Sequence, residues 1–541
     1  MAVKTTAEAL VESLLLHGID TVYGIPGMHN DPLFDAFYRA GDQLRVIHPR
    51  HEQATAYMAL GAAMATGKPQ AYSVVPGPGF LNSTAALLNA YGVNAPVLCL
   101  TGQIAQAEIE RYHGGLHEIR DQLGIAGHMT KFAARINAPH EAPYLVRDAL
   151  RVMLSGRQRP GFLECPLDVW GQKSEIAMPL MPAALDRIPV DADAVEAAAR
   201  LLGAAKRPLI VVGGGAMEAG AEITALAEML EAPVVSWRRG KGVVASSHRL
   251  SVFHPEGHAL WKTADVVLAI GTRFHLQQSS WGVDKDLKII RLDIDPEEPA
   301  RYLKPAVALV GEARDYAAAL LARVPAHNGK RESRTDELAA LRQWYAGQLA
   351  TLQPQLGYLK AIRRALPVDG IFVDEVTQMG FAARLGFPVE QPRTFLTPGY
   401  QDNLGWGYGT ALGVKAAMPD RAVLSIAGDG GFFWQVGELA TAAQHKLGVV
   451  VVVFDNASFG NVKLIQKNAY GGRHIACDFV NPDFVKLAES FNIAAYRATT
   501  PDELERTLTK AFADNVPALV HVPIGECPSP WKLIQRPKVR G

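Results

Sequence analysis

The 541-residue sequence predicts an α/β protein with three doubly wound domains, each built on a mostly parallel sheet. Short β-branched apolar runs alternate with helical patterns along the chain, and such runs are typical of strands that helices cover on both faces. Two stretches without a clean period, residues 174–190 and 324–337, predict linkers. We therefore expect domains at residues 1–175, 190–325 and 340–541.

The composition is that of an ordinary globular protein and argues against some partners. With 54 basic and 54 acidic residues, the formal net charge is zero, which gives no basis for binding nucleic acid or an anionic membrane. The cysteines lie far apart without CxxC or zinc-binding spacing, so we expect reduced thiols in a reducing compartment. They are Cys99, Cys165, Cys477 and Cys527.

The N-terminal segment predicts a helix rather than a secretory signal. Glu8 and Glu12 interrupt its apolar stretch, and no basic leader precedes it. Thr5 and Glu8 form a capping-box pattern, which is typical of a helix start. No apolar run approaches the roughly 20 residues needed to span a bilayer, so we expect a cytoplasmic protein.

The first unit contains a glutamate at the point where a strand passes into a helix. In “RVIHPRHEQATAYMALGAA”, Glu52 begins the alanine-rich helical pattern. A carboxylate at a helix start can simply be favoured by the helix dipole. From this segment alone, that structural role is the preferred interpretation.

The second unit opens with a strand that runs into a glycine turn, “RPLIVVGGGAMEAGAE”. A dinucleotide-binding fingerprint would need glycine at positions 213, 215 and 218, but position 218 is Glu218. We therefore expect a tight strand-to-helix connection here. A retained or degenerate nucleotide site is the alternative.

The third unit predicts a strand-helix-strand unit between residues 423 and 455. The runs “AVLSIAG” and “VVVVVF” flank the helical pattern “QVGELATAAQHKLG”, so the two strands should be parallel. Asp429 and Asn456 then lie at the carboxyl ends of these strands, where open α/β sheets bind ligands. Glycines around Asp429 allow a diphosphate to approach the backbone, and both side chains offer the oxygen ligands that Mg²⁺ prefers. A tight turn with a solvated aspartate is the alternative.

The spacing of these two residues resembles the signature of thiamine diphosphate enzymes, a GDG followed by a long spacer and an asparagine. Here Asn456 follows Asp429 by 27 positions. In that family the aspartate, the asparagine and a backbone carbonyl two residues further on hold the metal. The resemblance therefore implies metal binding by Asp429, Asn456 and Ser458. Asp455 stands where the family usually has a first asparagine.

Further segments resemble the acetolactate synthase-like and benzoylformate decarboxylase-like group and extend the resemblance over essentially the whole chain. They are “YGIPG”, “PGPGFLNSTAALLNAY”, “APVLCLTGQ”, “VDEVTQM” and “NLGWGYGTALG”. This resemblance implies a pyrimidine-binding domain, a central Rossmann-like domain and a diphosphate-binding domain, in that order. It assigns Glu52 as the residue that activates the cofactor and Leu404 as the apolar wedge beneath it. It also implies a set of cofactor-binding residues: Pro26, Asn82, Thr377, Gln378, Leu404, Gly428, Asp429, Gly430, Gly431, Asn456, Phe459 and Gly460.

The same resemblance implies the activity and the assembly. We expect a thiamine diphosphate- and Mg²⁺-dependent decarboxylase or carboligase, a lyase or transferase. It would convert a 2-oxo acid through an enamine into an aldehyde or an acyloin. The cofactor would lie between Glu52 of one subunit and Asp429 of another, in a homodimer at least and commonly a homotetramer. Because “HPEGHALWKTAD” matches flavin-dependent synthases only loosely, FAD or ADP is not expected in the central domain.

Two other functions are kept as alternatives. A 2-hydroxyacyl-CoA lyase or oxalyl-CoA decarboxylase would share all these motifs, and the basic C-terminus “GECPSPWKLIQRPKVRG” could contact a CoA phosphate. A nucleotide- or flavin-binding regulatory protein could have kept the fold without catalysis. The presence of Glu52, Asp429 and Asn456 together argues against the second alternative.

Histidines in the segment after “TGQ” are candidates for handling substrate protons. The chain lacks the tandem histidines of pyruvate decarboxylases, and Leu116, His117 and Glu118 stand where acetolactate synthases place Phe-Gln-Glu. We expect His117 to be the acid-base residue, with His113 as a second candidate. A solvent-facing loop histidine is the alternative.

The matches to benzoylformate decarboxylase are less complete around the substrate. Met28 and Val75 occupy the positions of its catalytic serine and histidine, and His29 beside Met28 is a candidate to compensate. Asn461 and Lys463 are expected to face the substrate entrance.

Overall fold

The computed structural model describes residues 2–179 and 181–541. In these residues it contains three six-stranded sheets whose strand pairings are all parallel, together with one two-stranded antiparallel pair. Helices lie between successive strands and cover the sheets. The predicted class, α/β with three doubly wound parallel-sheet domains, is confirmed.

The first domain carries the Glu52 segment. Its strands are β1 (Ala2–Thr5), β2 (Thr21–Gly24), β3 (Arg45–Ile47), β4 (Gln70–Val74), β5 (Val97–Gln103), β6 (Phe132–Arg135), β7 (Gly161–Pro166) and β8 (Lys173–Ile176). Its helices are α1 (Thr6–Leu16), α2 (Asp31–Arg39), α3 (Glu52–Thr66), α4 (Pro78–Val93), α5 (Gln122–Gly127), α6 (Ala142–Leu154) and α7 (Leu167–Trp170). The sheet order β3-β2-β4-β5-β7-β6 puts its topological switch between β2 and β4, where ligands of open sheets bind.

The ends of this domain contain one confirmed feature and one correction. Thr5 and Glu8 form both bonds of the predicted capping box. Residues 174–176, which the sequence assigned to a linker, instead belong to β8 and pair antiparallel with β1. A four-residue edge strand is too short to show a period in the sequence. Residue 180 of that linker lies outside the described residues.

The central domain has the strand order of dinucleotide-binding folds. Its strands are β9 (Pro208–Val212), β10 (Val234–Ser236), β11 (Ser251–Phe253), β12 (Val266–Ile270), β13 (Lys288–Asp293) and β14 (Val307–Val310). Its helices are α8 (Ala192–Ala204), α9 (Gly220–Leu230), α10 (His254–Trp261) and α11 (Ala313–Arg323), and α12 (Thr335–Leu349) follows. The order β11-β10-β9-β12-β13-β14 switches between β9 and β12. Because α12 runs through position 340, the limit between the second and third domains stays a prediction.

The third domain repeats the strand order of the first. Its strands are β15 (Ile371–Val373), β16 (Phe395–Leu396), β17 (Val423–Gly428), β18 (Val449–Asp455), β19 (Ala494–Arg497) and β20 (Ala518–Pro523). Its helices are α13 (Gln355–Ala365), α14 (Gln378–Gly386), α15 (Gly407–Ala417), α16 (Asp429–Phe432), α17 (Leu439–His445), α18 (Gly460–Ala469), α19 (Phe484–Ser490), α20 (Pro501–Asp514) and α21 (Trp531–Ile534). The order β16-β15-β17-β18-β20-β19 switches between β15 and β17, and β17 and β18 are parallel neighbours as the sequence predicted.

Helices α3 and α15 join the first and third domains. Each lies between the second and third strands of its own sheet, so the two helices are topological equivalents. They pack in direct backbone contact through glycine: a Cβ at Gly61 would collide with the Thr410 carbonyl oxygen, and a Cβ at Gly413 with that of Met58. The α3–α15 contact therefore has no space for even one methyl group at these positions.

Gly413→Ala is expected to destabilise the protein, because the new methyl group must push α3 and α15 apart. Overpacking of this kind costs about 1–3 kcal/mol, which should lower the melting temperature measured by calorimetry. Gly347→Ala is the matched control, since it lies in a helix with nothing within 4 Å of the added Cβ. Because alanine has a better helix propensity than glycine, this control should have a stability equal to or slightly higher than that of the wild type. Equal melting temperatures for both variants would show that the close contact carries no strain.

The C-terminal residues turn back onto the central domain. The Val539 N–H donates to the Trp281 carbonyl oxygen at 2.9 Å, and Arg540 forms an ion pair with Asp284 at 3.0 Å. The Arg540 Nε also donates to the Trp261 carbonyl oxygen at 2.7 Å. In the described part of the chain, no helix has the length and apolar character to cross a membrane.

Candidate active site

Asp429 and Asn456 lie at the same edge of the third sheet. Asp429 directly follows β17, and Asn456 directly follows β18. Gly428 and Phe454 are register partners, so the two strands end side by side. Asp429 is buried, with 1% of its surface exposed.

A hydrogen-bonded network holds the Asp429 carboxylate in place. The Asn481 amide donates to the Asp429 Oδ2 and to the Asp455 Oδ1, both at 2.8 Å. The Asp455 Oδ2 contacts the His521 Nε2 at 3.0 Å, and the Ala457 N–H donates to the Asp455 Oδ1 at 3.0 Å. Asp455, the residue at which the sequence departs from the family pattern, therefore organises the turn that presents Asn456.

The electrostatics of this network suit a cation. Burial raises the pKa of Asp429 to about 6, and the charge of Asp455 raises it too, against the hydrogen bond from Asn481. Burial alone would raise the pKa of Asp455, but hydrogen bonds from the Ala457 backbone, His521 and Asn481 hold it below its usual value. Among the ion pairs of the described residues, none gives Asp429 a positively charged partner. A buried carboxylate of this kind gains from a metal ion.

Glycines around Asp429 bring the backbone close to its neighbours. A Cβ at Gly428 would lie 3.1 Å from the Thr377 side chain, and a Cβ at Gly430 would lie 2.6 Å from the Phe459 ring. A Cβ at Gly460 would lie 2.5 Å from the Asn456 Nδ2. The edge thus forms a cradle with little side-chain bulk, which suits the close approach of a diphosphate.

The remaining predicted residues of this edge surround the cradle. Thr377 caps α14 by accepting a hydrogen bond from the Gly380 N–H at 2.9 Å. The Gln378 Oε1 is buried and has no hydrogen-bond partner among the described residues, so it is available to a polar ligand. Leu404 lies next to Gly431, 3.8 Å from the position of an added Cβ. Ser458 is 8% exposed and follows Ala457, whose φ is +51°.

This donor set fits Mg²⁺ together with a diphosphate. It offers one carboxylate, one carboxamide and the backbone around Ser458, all oxygen donors. Across residues 2–179 and 181–541, no group of three or more His, Cys, Asp or Glu side chains could hold a metal ion. A metal ion at this edge would draw on amide and backbone oxygens, on the diphosphate and on water as well as on Asp429.

Glu52 lies at the corresponding edge of the first sheet. It is the first residue of α3, and its Oε2 accepts a hydrogen bond from the Asn82 Nδ2 at 3.1 Å. The turn at Pro26 reaches the same place. A Cβ at the adjacent Gly27 would lie 2.5 Å from Val75, and a Cβ at Gly79 would lie 2.6 Å from Val75 and 3.8 Å from the Glu52 Cγ. No hydrogen bond or ion pair of the described residues joins Glu52 to Asp429. Glu52 and Asp429 lie on different domains, and we refer to their surroundings as the Glu52 half-site and the Asp429 half-site.

Three family models match the chain in sequence order. The N-terminal TPP binding domain of thiamine pyrophosphate enzymes matches residues 4–125, the central domain matches residues 195–320, and the C-terminal TPP binding domain matches residues 375–522. The chain belongs to the thiamine pyrophosphate enzyme family. The Glu52 half-site lies within the N-terminal match, and the Asp429 half-site lies within the C-terminal match.

Full-length relatives of this thiamine pyrophosphate enzyme include a decarboxylase and synthases. A probable 2-ketoarginine decarboxylase of Pseudomonas aeruginosa is 33% identical over 536 residues, covering 96% of this chain and 94% of the relative. A probable acetolactate synthase large subunit of Methanocaldococcus jannaschii is 32% identical over 546 residues, covering 96% and 91%. The acetolactate synthase isozyme 3 large subunit of Escherichia coli is 30% identical over 540 residues, covering 95% and 93%.

Asn481 is a residue of this thiamine pyrophosphate enzyme that sequence reasoning missed. It lies in “VNPDF”, which reads as an ordinary asparagine-proline turn.

Asn481→Ala is expected to weaken Mg²⁺ binding about 10- to 100-fold, because the partners that orient a metal ligand are worth that much. Calorimetric Mg²⁺ titration with saturating thiamine diphosphate measures it. The exposed Asn137 provides the control, Asn137→Ala; equal Mg²⁺ affinities in both variants would refute a role for Asn481.

Glu375 is a second residue that the sequence did not single out. It is 1% exposed, and its two carboxylate oxygens accept hydrogen bonds from the Val376 N–H at 2.9 Å and the Gly407 N–H at 3.0 Å. Burial raises its pKa to about 8. Its carboxyl group thus ties the end of β15 to the turn that carries Leu404.

The structure separates the two histidine candidates. His117 has φ +62°, and its ring stacks on that of the buried His29 with centroids 5.0 Å apart. His113 is exposed and pairs with Glu108 at 2.7 Å. A Cβ at Gly77, which precedes α4, would collide with the His117 backbone, so His117 lies near the Glu52 half-site.

The two residues expected at the substrate entrance are both engaged. The Asn461 Oδ1 accepts a hydrogen bond from the Trp531 indole at 2.7 Å, and Lys463 forms an ion pair with Asp478. The roles of Asn461, Lys463, His113 and His117 stay predictions.

A cavity of about 570 Å³ lies beside the switch point of the central domain, and residues of the first and third domains complete its lining. Its lining includes the glycine turn at Gly213–Gly215, together with Arg239 and Arg273. Glu218, which interrupts the dinucleotide fingerprint, forms an ion pair with Arg393 at 2.6 Å.

Proposed function

We propose that this chain is a thiamine diphosphate- and Mg²⁺-dependent enzyme that decarboxylates a 2-oxo acid and releases an aldehyde or joins the product to a second carbonyl as an acyloin. Its main support is the buried Asp429 beside Asn456 in a glycine-lined cradle, a carboxylate to which the described residues give no positively charged partner. The names of the relatives, a 2-ketoarginine decarboxylase and acetolactate synthases, favour a 2-oxo acid substrate.

In this proposal the third domain binds the metal ion and the diphosphate, and the first domain moves a proton. Asp429, Asn456 and the Ser458 backbone hold Mg²⁺ and the diphosphate, while Leu404 supports the bound cofactor from below. When bound, thiamine diphosphate supplies the electron sink that decarboxylation requires. The Glu52 carboxyl shares a proton with the far ring nitrogen of the aminopyrimidine, and Asn82 orients that carboxyl.

We also propose that a second copy of the chain completes the site. The protein would then be at least a homodimer, and we propose a homotetramer. Glu52 and Asp429 lie on different domains, and the family resemblance implies a cofactor held between Glu52 of one subunit and Asp429 of another. Exposed apolar side chains occur on segments near both half-sites, which is typical of surfaces that another subunit covers. They are Met28, Leu81, Leu116, Trp434, Val462, Ile465, Ile475 and Val480.

One of the C-terminal basic residues that could contact a CoA phosphate is already engaged within the chain. Arg540 is held by Asp284 and by backbone carbonyl oxygens, so its guanidinium is not free for a CoA phosphate. The four cysteines are buried and free, which supports the proposed cytoplasmic location. The domain limits 1–175, 190–325 and 340–541 belong to the same proposal.

The test offers the purified protein a panel of substrates with thiamine diphosphate and Mg²⁺. Pyruvate, 2-ketoarginine, glyoxylate, benzoylformate and a 2-hydroxyacyl-CoA are supplied separately, and products are identified by proton NMR. We expect an aldehyde or acyloin from a 2-oxo acid, absent with Glu52→Gln. Turnover of the CoA ester alone would replace the proposal with the lyase alternative. Cofactor binding without turnover of any substrate would refute this substrate class.

A further inference from the structure

His29 and His117 come from two separate loops of the first domain and meet at its ligand-binding edge. His29 follows β2, and His117 lies in the loop after β5. Their rings are stacked, with an interplanar angle of 22° and centroids 5.0 Å apart. The two histidines are 88 positions apart in the sequence, and no local motif predicts that they are in contact.

The two rings differ in burial. His29 is 1% exposed, whereas His117 is half-buried. The Nδ1 atoms of both rings are buried without a hydrogen-bond partner in the described structure. Burial and the nearby His117 lower the pKa of His29, against a hydrogen bond to the Leu116 backbone. Burial thus favours the neutral form of the His29 ring, which suits a packing role beneath His117.

The backbone around the pair is tightly held. A Cβ at Gly102 would lie 2.6 Å from the His29 carbonyl oxygen, and a Cβ at Gly77 would collide with the His117 backbone. His117 has a positive φ, which a residue other than glycine adopts at a cost of about 1–3 kcal/mol unless its surroundings impose it. The close contact with Gly77 and the stacked ring of His29 together hold His117 in this conformation.

We propose that His29 is a positioning residue whose ring fixes the ring of His117 at the Glu52 half-site, where His117 exchanges protons with the substrate. This inference rests on the proposed function, because proton exchange by His117 requires that a 2-oxo acid reacts at that half-site. The position of the ring itself can be tested without turnover.

Carbethoxylation by diethyl pyrocarbonate, followed by mass spectrometry of the tryptic peptide 112–120, tests that position. This peptide, “YHGGLHEIR”, contains both His117 and the exposed His113, so His113 is an internal control. In His29→Ala, with its supporting ring removed, we expect His117 to react about 5- to 10-fold faster relative to His113 because a residue released from packing opens more often. In His29→Phe the stacked ring is restored and the ratio should return to that of the wild type. An unchanged ratio in His29→Ala would overturn the proposal.

The kinetic test separates positioning from folding. We expect His117→Ala to lower kcat about 100-fold, in the range of a proton-transfer group, and His29→Ala to lower kcat about 10-fold with KM nearly unchanged. In the double variant, His29→Ala should cause no further loss of kcat beyond that of His117→Ala, because the effects of coupled residues are not additive. Additive losses, or a His29→Phe variant as impaired as His29→Ala, would overturn the proposal. A wild type without turnover would refute the proposed function and leave the labelling result valid.

Discussion

Glu52→Gln is expected to lower kcat about 1,000-fold while thiamine diphosphate still binds, because a positioned acid-base group contributes about 10²- to 10⁴-fold. Glutamine keeps the size of the side chain and can still contact Asn82, but it cannot share a proton with the aminopyrimidine ring. The measurement is the rate at which the C2 proton of bound cofactor exchanges with deuterated solvent, followed by quenched-flow NMR. This rate should fall with kcat.

The control for this variant is Glu503→Gln. Glu503 is also a glutamate in the first turn of a helix, α20, and its carboxylate accepts hydrogen bonds from Thr499 rather than from a residue of either half-site. Its replacement should leave both C2 exchange and kcat at the wild-type level. If Glu52→Gln exchanged the C2 proton as fast as Glu503→Gln does, Glu52 would be only a helix-start carboxylate favoured by the dipole.

Asp429→Asn is expected to weaken Mg²⁺ binding more than 100-fold and to abolish tight binding of thiamine diphosphate. Asp429 is the one carboxylate that the site offers as a direct metal ligand, and a neutral amide lacks the charge that attracts the cation into a buried position. Loss of a ligand should exceed the roughly 10- to 100-fold loss expected when a partner of a ligand is removed. Calorimetric titration of cofactor at increasing Mg²⁺ concentrations measures the effect.

Asp514→Asn is the comparison for this second variant. Asp514 is a surface aspartate at the end of α20, paired with Lys510, and its replacement removes the same charge from the chain. Its cofactor affinity should match the wild type at every Mg²⁺ concentration. A full recovery of cofactor binding by Asp429→Asn at moderate Mg²⁺ would mean that the metal is held elsewhere.

The sequence predicted those parts of the site that follow from local periodicity. The runs around Asp429 and Asn456 are long, apolar and separated by one helical pattern, so their parallel pairing followed from connection geometry. Glu52 was placed at a helix start for the same reason. These residues are fixed by the ends of the elements that carry them.

The rest of the site depends on contacts between distant segments. Asn481 is 52 residues from Asp429, and the two meet because a loop after α18 returns across the sheet edge. The stacking of His29 on His117 likewise joins two loops of irregular structure. Short patterns such as “VNPDF” and “PGMHN” carry no periodicity from which these meetings could be derived.

The glycine contact between α3 and α15 has a consequence for how substrates reach the site. Because the backbones of the two helices touch, the first and third domains cannot slide past each other without breaking that contact. In contrast, no residue of α18 (Gly460–Ala469) is buried, and Ile475 and Val480 beyond it are almost fully exposed. Substrate access would then depend on this segment and on the subunit proposed to cover it, rather than on sliding of the first domain against the third.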